Sequence, residues 1–379
     1  MHPSVEAFAL AAGLLALGAA LVHRFGFPPL PVYLLTGLLV GDRLPVEALE
    51  PLPSLGLLLL LFSVGLEFGP DRLRELSAKA LRAGFYDALA LPLGFLLGLL
   101  AGLDARGAAL LAGVTYVSSS AVIAKLIVDL RRAANPESEV VLGVSVLEDL
   151  GVALLLALLG GQGPGGILAG GILALAYFAF ARYLGPPLVR FVEGISDELV
   201  LLMGAAFTAG TALLFQAAGT SEGLGAFLSG VIAASLGLRE RLERLFGPVR
   251  DLGVALFFLV VGAESLEVLG NLSPLGVALA LLGLLLKLPL DHLGGGRAGL
   301  GRKRRLYAAL YLLPRGEFNL VLGSLALAQG YPLVAQVAVL SVLVSVPLGA
   351  LAIRFAPELG RLLLGEAPRG QGRAAAKPR

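Results

Sequence analysis

The sequence predicts an all-α polytopic membrane protein of thirteen transmembrane helices, with an inverted-topology repeat, two broken crossing helices, and an N-out/C-in orientation. Three observations predict it: the apolar content, the placement of basic residues, and an internal repeat. Apolar residues fill 57% of the 379 positions, and the mean hydropathy is +0.87. A water-soluble chain holds about 45–50% apolar residues even with glycine counted. The low charged fraction, 15%, excludes a disordered chain. The absence of cysteine excludes disulfide scaffolds and thiol catalysis. His2, His23 and His292 are too scattered for a metal cluster, and a net charge of +2 leaves no nucleic-acid footprint.

In chain order the apolar segments run over 5–22, 30–41, 54–69, 80–101, 107–128, 138–159, 165–185, 199–217, 223–237, 251–266, 272–290, 306–328 and 332–353. Most approach the roughly 20 residues that cross a bilayer, whereas 30–41 and 223–237 are short and glycine-rich. The first segment lacks a basic start and runs into His23–Arg24 without a small-residue cleavage site, so no cleavable signal is expected. With the N-terminus outside, twenty-five of the 29 basic residues fall in the odd-numbered loops and the C-terminal tail. Only Arg43 and Arg106 lie on the opposite side, and Lys287 and Arg315 lie inside apolar segments. A count wrong by one helix would scramble this asymmetry.

A shift of 197 residues superposes the third segment on the tenth. It sets Leu55–Gly56 on Leu252–Gly253, Val64–Gly65 on Val261–Gly262 and Glu67 on Glu264. The same shift sets Leu91–Pro92–Leu93 on Leu288–Pro289–Leu290. Seven crossings separate the copies, and an odd number turns the second copy upside down. Inverted repeats are an architecture of secondary transporters, with the site at mid-membrane where the copies meet.

A charge inside a span costs ~2.5–3.5 kcal/mol on insertion scales and so needs a partner or a purpose. Asp87, Glu148, Asp149, Lys287, Asp291, Arg315 and Glu317 are the candidates. Glu67, Asp251 and Glu264 lie at segment ends and read as solvated. Asp291 and Asp87 also read as solvated groups near cytoplasmic helix ends, Asp87 beside a funnel for ions. Glu148 and Asp149 sit halfway along their segment and point ~100° apart on a helix, so one faces a water-filled cavity and the other a packed neighbour. Such a pair can trade a proton for a hard monovalent cation, and Lys287, followed by Pro289, is its natural counter-ion. Two segments are interrupted at the same depth under the 197 shift: the fifth by Thr115-Tyr116-Val117-Ser118-Ser119-Ser120, the twelfth by Pro314-Arg315-Gly316-Glu317. Unwound backbone in a membrane is tolerated only inside protein or along a cavity, and Arg315 and Glu317 can balance the half-helix dipoles there.

This set resembles the monovalent cation/proton antiporter-2 family, which holds Kef-type potassium/proton systems and sodium/proton antiporters. The resemblance rests on the serine triplet, Glu148–Asp149, Lys287 and Leu-Pro-Arg-Gly-Glu-Phe at 313–318, and it runs over roughly 5–355. It implies a homodimer in a prokaryotic plasma (inner) membrane. The scaffold would be 1–69 and 198–270, a moving core 80–159 and 271–354, a linking helix 160–197 and a short cytoplasmic tail 355–379. It implies that Asp149 carries the transported Na⁺ or K⁺ in exchange for H⁺, with Glu148, Ser118 and Ser119 contributing to ion or proton binding. Lys287, Arg315 and Glu317 would compensate charge. Sodium/proton members often place Asp where this chain has Glu148, so the ion is left open, with a lean to K⁺ from the Kef-like motifs. The tail holds no Kef-type nucleotide-binding domain, so ligand gating is expected from a separate cytoplasmic subunit or a longer chain. No cofactor and no nucleic-acid partner is expected. The alternative is a sodium-coupled solute symporter of the same fold, which needs a larger intramembrane polar pocket than these residues supply. A pump lacks its phosphate loop, and an aspartyl protease lacks the expected glycine, having Leu39 in its place.

Overall fold

In the computed structural model the described residues are 3–24, 29–43, 46–49, 51–67, 76–161 and 164–364, and among them helices and connecting turns are the only regular structure. A leucine-, alanine- and glycine-rich chain in an apolar medium has to satisfy each backbone polar group internally, which favours helix. In order the helices are α1 (Pro3–His23), α2 (Leu30–Val40), α3 (Pro51–Glu67), α4 (Ala78–Asp87), α5 (Ala90–Leu100), α6 (Ala105–Tyr116), α7 (Ser120–Asp129), α8 (Pro136–Leu159) and α9 (Pro164–Glu193). They continue as α10 (Asp197–Ala217), α11 (Glu222–Ser235), α12 (Arg239–Gly270), α13 (Pro274–Arg297), α14 (Arg302–Tyr311), α15 (Glu317–Ala328), α16 (Pro332–Arg354) and α17 (Ala356–Leu364).

Local chemistry sets many of the boundaries. Side chains of Ser77, Asp104, Ser119, Ser196 and Ser273 accept backbone N–H groups at the starts of α4, α6, α7, α10 and α13, as N-caps do. Pro136, Pro274 and Pro332 open α8, α13 and α16, where a missing N–H is not needed. The expected crossing 80–101 is two helices. Pro92 offers no N–H to the Ala88 carbonyl, which accepts from Leu91 instead at 3.0 Å. The far end of α8 is held by Arg106, which donates to the carbonyls of Leu159 (2.7 Å) and Gly161 (3.1 Å), and by Gln329, which donates to Leu159 at 2.9 Å.

Eight helical stretches among the described residues are long and apolar enough to cross a membrane, two of them the pairs α4–α5 and α6–α7. Helices α2, α3, α11 and α15 are shorter apolar helices. Arg72, Arg74 and residues 365–379 of the expected tail lie outside the described residues; 356–364 of that tail form α17.

Two groups of helices stand out in the packing, and one hydrophobic core runs across both. Helix α3 packs on α11 and α12, and α2 on α12; elsewhere α13 packs on α4, α14 and α16, and α8 on α4. In the first group the repeat is visible as contacts made twice. A Cβ on Gly65 would lie 2.0 Å from the Phe227 carbonyl oxygen, and one on its repeat counterpart Gly262 would lie 2.2 Å from that of Leu34. Their facing partners, Gly230 and Gly37, are equally tight, each 2.0 Å from the carbonyl oxygen of Phe62 and Leu259 respectively. Gly56 and Gly253, equivalent under the 197 shift, touch each other, a Cβ on Gly56 falling 2.2 Å from the Gly253 carbonyl carbon. Small residues let helix backbones meet where lipid tails supply no hydrophobic drive. This explains why the short segments 30–41 and 223–237 are glycine-rich.

Gly65→Ala and Gly262→Ala should each destabilise the fold by about 1–3 kcal/mol through overpacking, seen as earlier thermal unfolding of the purified protein in detergent. Gly171→Ala, with open space at its Cβ position, should leave unfolding unchanged or slightly later.

Candidate ion-binding site

Between α6 and α7 lie residues 117–119, and between α14 and α15 lie residues 312–316. These two interruptions cross. The Ser119 amide donates to the Pro314 carbonyl at 2.8 Å, and Gly316 lies so close that a Cβ would meet Ser119 Oγ at 2.3 Å. Ser119 and Gly316 are again equivalent under the 197 shift. The remaining unwound groups find partners nearby. The Arg315 amide donates to Ser345 Oγ (2.8 Å) and the Gly316 amide to Asn319 Oδ1 (3.3 Å), while Asn319 Nδ2 reaches back to the Val114 carbonyl (2.7 Å).

Charge follows the helix ends. At the C-terminus of α6, Lys287 Nζ donates to the Tyr116 carbonyl at 2.7 Å and Arg315 Nη1 to that of Val117 at 2.9 Å. Cations belong at that end of the dipole. Glu317 opens α15 and accepts from Ser119 Oγ at 3.1 Å, an anion at the favoured N-terminus.

The adjacent carboxylates of α8 part company. Glu148 is fully buried; it accepts the Ser118 amide at 2.8 Å and pairs directly with the Lys287 ammonium. Lys287 Nζ also lies 2.6 Å from Asp87 Oδ1. The Ser118 hydroxyl accepts from Lys287 (3.0 Å) and donates to the Leu312 carbonyl (2.7 Å). Asp149 turns the other way, into a cavity of about 710 Å³ that Glu67, Ser120 and Glu317 also line. It is 4% exposed, its Oδ1 accepts no hydrogen bond, and the Ser120 hydroxyl is within bonding reach of its carboxylate. Towards the mouth, Arg250 pairs with Glu243 and with the exposed Asp251, each at 3.0 Å.

The expected site residues therefore separate into two environments. Asp149 and Glu317 line the cavity, with Ser119 bonded to Glu317. Glu148, Ser118, Lys287 and Arg315 form a dry network behind it. Two expectations need correction: Asp87 and Asp291 are buried, at 1% and 4% exposure, and not solvated helix ends. Helix α4 stops at Asp87 in the middle of a helix stack, and Gly294 lets α13 approach α4 so closely that a Cβ would sit 2.8 Å from the Ala83 carbonyl. Glu264 is exposed but lies within α12, six residues before its end at Gly270, whereas Glu67, which closes α3, is half-buried on the cavity wall. Sequence reasoning marked Ser120 as part of the interrupted segment but left out Asn319 and Ser345. An asparagine two residues after Glu317 in an otherwise apolar helix was the signal for Asn319; a single serine inside α16 carries no comparable mark. Among the described residues no group of three His, Cys, Asp or Glu side chains is placed to hold a resident metal ion.

Such an arrangement suits a small cation. An unneutralised carboxylate with hydroxyls nearby offers hard oxygen ligands at the floor of a cavity, and its sequence neighbour is already satisfied by an ammonium. Residues 11–356 match the family model described as sodium/hydrogen exchanger, transmembrane. The potassium/proton antiporter subunit KhtU of Bacillus subtilis is 30% identical over 92% of this chain and 93% of its own length. The ammonium/proton antiporter subunit AmhT of Alkalihalophilus pseudofirmus is 32% identical over 90% of each. In fold, the chain is similar to the sodium/proton antiporter NhaP1 of Methanocaldococcus jannaschii, with a TM-score of 0.62 at 20% identity over 96% of this chain and 99% of the other.

Two substitutions separate the environments. Lys287→Met strands the buried carboxylates of Glu148 and Asp87 and should cost about 3–5 kcal/mol of stability, as removal of one partner from a buried ion pair does. Asp149→Asn removes a charge whose Oδ1 makes no hydrogen bond, and should unfold no earlier than the parent. Thermal unfolding in detergent compares the two.

Proposed function

This chain belongs to the sodium/hydrogen exchanger transmembrane family, and we propose that it is an antiporter exchanging potassium ions for protons at Asp149. The observation that carries this reading is the division within α8: Glu148 is neutralised by Lys287, while Asp149 faces the cavity with an oxygen free of hydrogen bonds. One carboxylate binds a proton or a cation, never both, and that competition couples the two gradients. Glu317, Ser119 and Ser120 add oxygens beside it, and oxygen ligands suit hard monovalent ions. Lys287, Glu148 and Arg315 set the field around Asp149 without occupying the cavity.

Potassium is favoured over sodium by the Kef-like serine triplet and Glu317–Phe318, and by the cation in the name of KhtU. The ammonium in the name of AmhT fits the same reading, since ammonium resembles potassium in charge and size. We assign the first packing group, within 1–69 and 198–270, as the scaffold, and the second, within 80–159 and 271–354, as a core that moves to expose Asp149 alternately to each side. Helix α9 then links them, and two copies pair in a bacterial inner membrane. The side richest in arginine and lysine is the cytoplasmic side, so the cavity, whose mouth holds Arg250, opens inward in this state. Both relatives are named as subunits, which supports a separate regulatory chain.

In proteoliposomes with an acidic interior and a pH-sensitive dye, potassium should collapse the gradient faster than sodium, and ammonium should be scored against protein-free vesicles. Asp149→Asn should abolish the response while remaining folded. Exchange at the parent rate in that variant refutes the assignment of Asp149.

A further inference from the structure

Behind the dry network lies a carboxylate pair with no part in the cavity. Asp87 closes α4, and Asp291 follows Lys287 by four residues on the same face of α13. Both are buried. Lys287 Nζ is 2.6 Å from Asp87 Oδ1 and is shared with Glu148. The Asp291 carboxylate lies within hydrogen-bonding reach of that of Asp87, yet no hydrogen-bond donor reaches either Asp291 oxygen. Two ionised carboxylates in contact, both out of water, repel, and an acceptor left without a donor carries its full desolvation penalty. A single proton between them removes both problems and makes a strong charge-assisted bond.

The charge count agrees. Asp87, Glu148 and Asp291 are three carboxylates around two cations, Lys287 and Arg315, all buried, so one proton makes the cluster neutral. Of the groups nearby, Tyr116 on α6 is a neutral phenol, while Arg297 lies over the Tyr86 ring at 5.5 Å and Arg305 on α14 donates to the Leu300 carbonyl at 2.8 Å; neither guanidinium donates to Asp87 or Asp291.

We propose that Asp87 and Asp291 share one proton inside the protein, forming a proton-binding site separate from the cation-binding carboxylate Asp149. The pair borders Lys287, so it is placed to give a proton to the Lys287–Glu148 network or withdraw one from it. This consequence rests on the exchanger reading; the shared proton itself does not. In such an exchanger, a proton is held where the transported cation does not compete for it.

Infrared difference spectra of the full-length protein in lipid test the pair. In an Asp149→Asn background, where the cavity carboxylate is gone, a C=O stretch from a buried protonated acid should persist at neutral pH. It should be lost when Asp291→Asn is added, and lost or displaced with Asp87→Asn. Asparagine has nearly the shape of the protonated acid, so Asp291→Asn should keep the parent's thermal stability. A band untouched by both substitutions overturns the proposal, and so does an Asp291→Asn chain that cannot fold. Failure of the exchanger reading shows differently: no cation-driven flux in the parent, with the Asp291-dependent band still present.

Discussion

Two stretches of helix are unwound inside an apolar medium, where each unsatisfied backbone group is expensive, and this is possible because each stretch satisfies the other. The crossing at Ser119 and Gly316 supplies a backbone hydrogen bond from one interruption to the other, and its tightness leaves no room for a side chain at residue 316. The carbonyls freed at the end of α6 draw in Lys287 and Arg315. Lys287 in turn pairs with Glu148. With Glu148 so oriented, the 100° step along α8 turns Asp149 outward to the cavity. The candidate ion site is thus a consequence of how broken backbone is paired.

Residue 148 is a glutamate where the sodium/proton members of the resembling family often have aspartate, and the geometry gives its extra methylene a use. From α8 the carboxylate reaches the Lys287 ammonium and the Ser118 amide together. One side chain therefore neutralises a buried cation and caps an amide at the interruption. Burying such a pair is not free of cost. Its return here is positional, because the same lysine touches α6, α8 and α4 and so fixes three elements around the crossing. The additional acid on α13, Asp291, makes this network acid-rich, and a shared proton restores its neutrality.

The repeat organises the other half of the molecule through contact rather than charge. Gly65 against α11 and Gly262 against α2 are the same approach made once by each copy, while Gly56–Gly253 and Ser119–Gly316 are contacts between equivalent residues. Glycine bridges within each packing group and the serine–glycine crossing at the site mark where the two copies meet. A secondary transporter whose site lies at such a junction can be exposed to either side by moving one group against the other.

What the sequence determined by itself was whatever depends on residue type and spacing alone. Apolar run length and basic-residue placement marked a helical membrane protein, and the 197-residue shift located both interruptions. Adjacency made it certain that Glu148 and Asp149 face different ways. Tertiary structure decided which carboxylate faces which way, because that follows from where Lys287 arrives, and Lys287 comes from a helix 139 residues distant along the chain. It also decided that Asp87 and Asp291 are buried. A position near a helix end looks solvated in sequence, but burial depends on the neighbours, and here glycines bring α4 and α13 close enough to cover both acids. Ser345 and Asn319 became legible for the same reason: their task is to satisfy backbone groups that only the crossing of two distant segments leaves open.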